Sequence, residues 1–109
     1  MKPPDRRLSP RQVFRRAVTV SLRDGKTFTA RTMDLAPGGI SILAPLDVRA
    51  GTTCMLRFEV PKEGGRTQPA AAVAKVIYSA LHGTEGFWIG LQFLEFDKNL
   101  SDVIRRHLK

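Results

Sequence analysis

Alternation of apolar and polar residues is the feature that most constrains how this chain folds. In the segment CMLRFEV, the apolar residues Cys54, Leu56, Phe58 and Val60 fall on one face of an extended strand. Five further segments between turn signals have a similar apolar face, at residues 18–22, 28–34, 40–42, 71–81 and 87–93. Six short strands predict a small closed or nearly closed antiparallel β-barrel, because closure removes unpaired strand edges.

Glycine, proline and aspartate mark the connections between these strands. Asp24-Gly25 predicts a tight hairpin turn, and Pro37-Gly38-Gly39 interrupts the chain between two strands. Residues 45–51 and 82–86 are predicted loops, and residues 61–69 are predicted to form a flexible hairpin loop.

The apolar period changes near the end of the chain. Four apolar residues follow a helical spacing of i, i+3, i+4 and i+8, namely Leu100, Val103, Ile104 and Leu108. Either Asp97 or Asn99 can cap this helix at its N-terminus. The predicted fold class is therefore all-β: a six-stranded antiparallel β-barrel with a C-terminal α-helix and an extended N-terminal arm.

Length and composition exclude several classes of protein. The 109 residues fit one small domain, and no run approaches the roughly 18–20 apolar residues of a membrane span. The start, MKPPDRRLSPR, lacks the apolar stretch of a secretory signal, so we expect a cytoplasmic protein without membrane insertion. Cys54 is the single cysteine and is predicted to be a buried apolar residue. Without paired carboxylates, an activated nucleophile, a phosphate-binding loop or metal-ligand spacing, we expect neither an enzyme nor a metal site.

Positive charge is concentrated at the start of the chain. The net charge is +8, and residues 1–31 carry nine cations against two acids, whereas the remaining residues are nearly neutral. This asymmetry indicates an anionic partner, such as a nucleotide, a nucleic acid or a membrane surface. Seven of the nine cations are arginines, whose planar fork suits phosphate and guanine.

The first twelve residues are predicted to form a separate arm. Pro3, Pro4 and Pro10 favour extended geometry, and residues 1–12 have no apolar period. We therefore predict a flexible arginine-rich arm over residues 1–12, mobile without a ligand, followed by one barrel domain over residues 13–109.

Two motifs give the chain a family resemblance. Arg7 and Arg11 form an RxxxR spacing before the first strand, and the turn Asp34-Leu35-Ala36-Pro37-Gly38-Gly39 lies between two strands. Together they resemble the signature of the PilZ family, an RxxxR arm followed by a [D/N]xSxxG turn. The segment GFWIGLQFLEFDKNLSDVIRRHL is similar to the last strand and closing helix of that family. The resemblance runs over nearly the whole chain and implies a PilZ-like barrel.

The resemblance also implies a ligand, cyclic di-GMP, and a set of binding residues. These are Arg6, Arg7, Arg11, Asp34, Ala36, Gly38 and Gly39. The arginines would contact phosphate and guanine, and Asp34 would accept from the N–H edge of a guanine. Gly39 would allow close approach of the backbone to the ligand or a positive φ. Ala36 departs from the family pattern, because it stands where the family has a serine.

Other residues are secondary candidates. Arg15 and Arg16 are predicted at the start of the first strand on opposite faces, and Arg31 precedes the acidic turn by three residues. Trp88 is on the face opposite Phe87 and could stack on a guanine, but packing against an outer loop or the helix is the first expectation for it. Tyr78 lies where PilZ domains often have an aromatic residue, but core packing is the first expectation for it.

The preferred function is a sensor module that binds cyclic di-GMP, orders its N-terminal arm on binding and signals to a protein partner. One alternative is a small basic β-barrel that binds RNA or DNA, although no run of exposed aromatic residues supports nucleic acid as the partner. A second alternative is a degenerate PilZ domain that acts only by protein contact. Ala36 favours this alternative, and the retained arginines oppose it.

Overall fold

The computed structural model describes residues 11–108. They form seven strands, a short 3-10 turn at Glu63–Gly65 and one helix. The elements are β1 (Gln12–Val13), β2 (Ala17–Leu22), β3 (Thr27–Ala36), β4 (Gly39–Ala44), β5 (Thr53–Lys62), β6 (Arg66–Leu81), β7 (Phe87–Phe96) and α1 (Lys98–His107).

The strands form one antiparallel sheet that closes in a ring. Its order is β1-β3-β2-β5-β6-β7-β4, and an additional pairing between β3 and β4 joins the two ends. Six strands make up the ring, which confirms the predicted fold class. The two-residue strand β1 pairs with β3 on the same side as β2 and continues that side beyond Arg31, where Gln12 pairs with Leu35. Pairing therefore begins at residue 12, the last residue of the predicted arm.

The core lies inside the ring, where the apolar faces of the strands meet. On β5, Cys54, Leu56, Phe58 and Val60 are all buried, as the alternation predicts. Burial raises the pKa of the Cys54 thiol to about 11, which agrees with its predicted role as a buried apolar residue.

Helix α1 covers part of the ring by packing against β5 and β6. Leu100 and Val103 on its apolar face are buried. Asp97 is the N-cap, and its carboxylate accepts hydrogen bonds from the backbone N–H of Leu100 and of Ala71, each at 3.0 Å. Asn99, the other cap candidate, instead donates to the carbonyl of Pro69 at 2.6 Å. Within the described residues, no helix has both the length and the apolar character needed to cross a bilayer.

The hairpin between β5 and β6 differs from the sequence prediction. Residues 61–69 were expected to form a flexible loop, but strand pairing continues to Lys62 opposite Arg66. Only three residues connect the strands, and Gly64 and Gly65 turn the chain with φ values of 79° and 74°. Pro61 and Pro69 both lie within the paired part of the two strands. The prediction of a long loop was wrong because the two glycines concentrate the whole reversal in one short turn.

An irregularity in β3 decides which of its side chains face outward. The pairing between β3 and β4 shifts register between Thr32 and Asp34, so Met33 is an extra residue in β3. Before this bulge, even-numbered residues such as Ala30 and Thr32 point into the core. After it Leu35 points inward, and Asp34 therefore faces outward.

Thr32 fixes the chain that leads into the ring. It is fully buried, and its hydroxyl donates to the carbonyl of Phe14 at 2.5 Å while accepting from the backbone N–H of Arg16 at 2.8 Å. The backbone N–H of Thr32 also donates to the carbonyl of Arg16 at 2.8 Å. These bonds hold residues 14–16 against the bulge, and they set where the N-terminal segment leaves the ring.

Replacing the Thr32 hydroxyl tests this anchoring. We expect Thr32→Val to lower the free energy of unfolding by about 1–3 kcal/mol, because it leaves buried backbone groups without a partner. Urea denaturation measures the change. Thr29→Val, on the exposed face of the same strand, is the control and should change stability by less than about 0.5 kcal/mol. Equal midpoints for the two variants would contradict the anchoring role.

Candidate functional site

A row of four residues crosses the outer face of the ring. Strand register places Asp34 of β3 opposite Ser41 of β4, Ser41 opposite Gly90 of β7, and Gly90 opposite Tyr78 of β6. With strands roughly 4.8 Å apart, the three steps of this row place the backbones of Asp34 and Tyr78 about 14 Å apart. One end of the row is therefore charged, the middle consists of a serine and a glycine, and the other end is aromatic.

An open groove of about 720 Å³ lies over this row. Five of the seven binding residues predicted from the sequence line it, namely Arg11, Asp34, Ala36, Gly38 and Gly39, and so does the secondary candidate Trp88. Its size falls within the range of small-molecule sites in proteins, about 300–1,000 Å³. A second cavity of about 140 Å³, bordered by Val13 and Leu108, is lined mainly by apolar residues and is too small for a dinucleotide.

Arg11 and Asp34 contact each other directly at the charged end of the groove. The Nη2 atom of Arg11 donates to Oδ1 of Asp34 at 3.1 Å and to the Ser41 hydroxyl at 3.4 Å. The Ser41 hydroxyl in turn donates to the same Oδ1 at 2.7 Å. The predicted meeting of an arginine from the leading segment with the acidic turn is therefore present in the structure.

The fold itself requires glycine at position 39. A Cβ on Gly39 would lie 2.2 Å from the carbonyl oxygen of Leu91, so β4 and β7 approach closely only because position 39 has no side chain. Its φ is not positive. Of the two reasons predicted for glycine at position 39, positive φ is therefore wrong, and close approach of a ligand stays a prediction; the strand–strand contact already requires glycine there. Gly38 has open space around the position of a Cβ.

Two aromatic residues form the other end of the groove. A Cβ on Gly90 would lie 2.4–3.0 Å from the ring of Tyr78, so this ring lies across strand β7 at Gly90. Tyr78 is about half exposed, and the expectation of core packing was wrong. A register shift between Val76 and Tyr78 leaves Tyr78 on the outer face of β6. Trp88 is half-buried, and its ring lies 5.2 Å from that of His82, in line with the expectation that it packs against an outer loop.

Five further arginines were predicted as binding residues or secondary candidates. Arg6 and Arg7 fall outside the described residues. Arg15 is exposed, and the guanidinium of Arg16 covers the ring of Phe14 at 5.6 Å. Arg31 is exposed on β3 opposite Leu43, which separates it from Trp88. None of these last three arginines lines the groove.

Several residues of the groove were not predicted from the sequence. Ser41, Ile77, Gly90 and Gln92 line it beside the predicted ones. Alternation around Ile40 and Ile42 does place Ser41 on the outer face, but the register that sets it opposite Asp34 depends on the bulge in β3. Gly90 gave no turn signal, because its role is to make room for the ring of Tyr78.

The arrangement suits binding of a ligand. It offers a guanidinium, a carboxylate, a buried hydroxyl and two aromatic rings around an open floor. Within residues 11–108, no group of three or more metal-ligating side chains is found. Such a set recognises an anionic ligand that also has flat rings and N–H donors.

Comparison with known proteins agrees with this fold. The motility inhibitor MotI/DgrA of Bacillus subtilis superposes with a TM-score of 0.74 at 20% identity, covering 97% of this chain and 56% of that one. The chain thus spans little more than half the length of that protein. The PilZ domain of YcgR from Escherichia coli, solved with c-di-GMP, superposes with a TM-score of 0.52 at 20% identity, covering 94% and 86%. No curated protein matches the sequence.

The family assignment rests on the sequence itself. The PilZ domain model matches residues 5–109, which include the RxxxR spacing, the acidic turn and the closing helix. The chain belongs to the PilZ domain family, a family of cyclic di-GMP receptors.

Proposed function

We propose that this chain is a sensor module that binds cyclic di-GMP in the groove, orders its N-terminal arm on binding and signals to a protein partner. The observation that carries the proposal is the meeting of Arg11 with Asp34 on a groove that ends in aromatic residues. The YcgR domain, which shares the fold, was solved with this ligand and supports the same assignment.

The charged end of the groove matches the chemistry of the ligand. Cyclic di-GMP carries two phosphates, and guanine adds the acceptors O6 and N7, which an arginine fork can engage with two hydrogen bonds. The N–H edge of guanine needs an acceptor, which Asp34 provides. Arg11 is 41% exposed, so its pairing with Asp34 is screened by solvent and can be exchanged for a ligand phosphate.

The aromatic end offers a stacking surface. Trp88 and Tyr78 both line the groove, and their rings can cover a guanine face. Base stacking on an aromatic side chain contributes about 1–3 kcal/mol in nucleic-acid-binding proteins. The dinucleotide would thus lie along the row from Asp34 to Tyr78, with one base toward each end.

The N-terminal arm supplies the link between binding and output. Arg11 begins the described chain, and β1 pairs Val13 directly with Asp34, so the described chain begins beside the groove. We propose that Arg6 and Arg7 close over the bound ligand and that the ordered arm presents a new surface to the protein partner.

Nucleic acid remains the alternative ligand, but the groove supports it less well. Among the described residues, Arg11 is the cation that lines the groove, and it is already paired with a carboxylate. Binding of RNA or DNA draws on several phosphate contacts from lysine and arginine. A domain acting only by protein contact would leave the groove without a ligand.

Calorimetric titration with cyclic di-GMP tests the site. We expect Arg7→Ala, Arg11→Ala and Asp34→Ala each to weaken binding about tenfold to a hundredfold, because each removes hydrogen bonds to a charged partner. Added salt should weaken binding of the parent as well, since phosphate contacts are screened.

Arg23→Ala is the matched control for these variants. Arg23 is an exposed arginine next to the turn between β2 and β3, at the opposite end of β3 from Asp34, and its loss should leave the affinity unchanged. GTP and a short oligonucleotide serve as competing ligands. Equal heats for all variants and the parent, or tighter binding of the oligonucleotide, would rule out this assignment.

Restoring the family serine should strengthen binding. Ala36 lines the groove, so Ala36→Ser adds a hydroxyl next to the ligand, and we expect affinity for cyclic di-GMP to rise about twofold to tenfold. The control is Ala17→Ser on the exposed face of β2, which should have no effect. An unchanged or lower affinity of Ala36→Ser would show that position 36 makes no favourable ligand contact.

A further inference from the structure

Ser41 occupies an unusual place for a serine on the outer face of a strand. Only 1% of its surface is exposed, although its neighbours Ile40 and Ile42 are the residues that point into the core. Register sets it directly opposite Asp34, and such cross-strand pairs have side chains close enough to interact. Its hydroxyl donates to Oδ1 of Asp34 at 2.7 Å.

The two side chains that donate hydrogen bonds to Oδ1 of Asp34 differ in how easily they can move away from it. Arg11 reaches this oxygen at 3.1 Å from a side chain that is 41% exposed, whereas Ser41 is buried and belongs to a ring strand. A phosphate can draw Arg11 away from the carboxylate. The Ser41 hydroxyl stays in place, because its strand is paired on both sides.

We propose that Ser41 is a positioning residue that fixes the carboxylate plane of Asp34 and thereby selects guanine in the groove. A carboxylate accepts two hydrogen bonds side by side only when its plane faces the donors. Guanine presents two such donors, the N1–H and the 2-amino group. With Oδ1 held by Ser41, the carboxylate is oriented before the ligand arrives.

This role also bears on the departure from the family motif. Ala36 has no hydroxyl, yet the groove keeps a serine hydroxyl beside its acidic residue, supplied by β4. The proposal rests on cyclic di-GMP as the ligand and adds the residue that sets its base specificity.

A double-mutant cycle in the full chain tests the proposal. Calorimetry would measure cyclic di-GMP binding to the parent, Ser41→Ala, Asp34→Ala and the double variant. We expect Ser41→Ala to weaken binding about twofold to tenfold when Asp34 is present and to have no effect when Asp34 is replaced. Cysteine is similar in volume to serine but is a poor hydrogen-bond donor, so Ser41→Cys should weaken binding as Ser41→Ala does. This second variant tests the proposal if Ser41→Ala fails to fold.

A second ligand separates positioning from general packing. Cyclic di-IMP lacks the 2-amino group, so the parent should bind it more weakly than cyclic di-GMP, and this preference should shrink in Ser41→Ala. The matched control is Ser79→Ala, which removes a similar serine-to-aspartate bond, from Ser79 to Asp47 at 2.6 Å, away from the groove. Ser79→Ala should change neither affinity nor preference.

The outcomes distinguish this inference from the proposed function. If the parent does not bind cyclic di-GMP, the proposed function fails and the inference fails with it. If the parent binds and Ser41→Ala matches it in affinity and base preference, only the inference is overturned. A loss of the same size with and without Asp34 would also overturn it, because Ser41 would then act through another group.

Discussion

The β-bulge at Met33 is the constraint on which the groove depends. Without the extra residue, the alternation that buries Thr32 would turn Asp34 into the core, where an unpaired carboxylate is costly. The bulge moves Asp34 to the outer face, and Thr32 stabilises the irregular backbone by bonding to residues 14–16. One irregularity thus exposes the acid and brings the incoming chain next to it.

Electrostatics explains why an acidic residue lies beside an arginine in the groove of a basic chain. The chain has a net charge of +8, and Asp34 holds Arg11 in the groove in the absence of a ligand. Because this pair is partly exposed, the bond is easily exchanged. In the proposed complex the ligand would replace both halves of the pair, with its phosphate bound by Arg11 and its guanine bound by Asp34.

The errors in the sequence analysis have a common physical origin. Tyr78 was expected in the core, and the register shift beside it placed the ring over Gly90 instead. Gly39 was expected to allow close ligand approach or a positive φ; its φ is not positive, and the contact that requires glycine is the carbonyl of Leu91 on a neighbouring strand. Both contacts depend on the register between paired strands, which the periodicity of a single strand does not reveal.

The sequence by itself determined the strands, the capped helix, the single core and the residues that give the chain its family. These depend on local alternation, turn residues and motif spacing, all visible along the chain. Only the tertiary structure decided that Asp34, Ser41, Gly90 and Tyr78 form one row, and that Arg11 meets its carboxylate. The physical reason is register: one bulge changes which face a side chain occupies, and hydrogen bonding between strands sets where bulges occur.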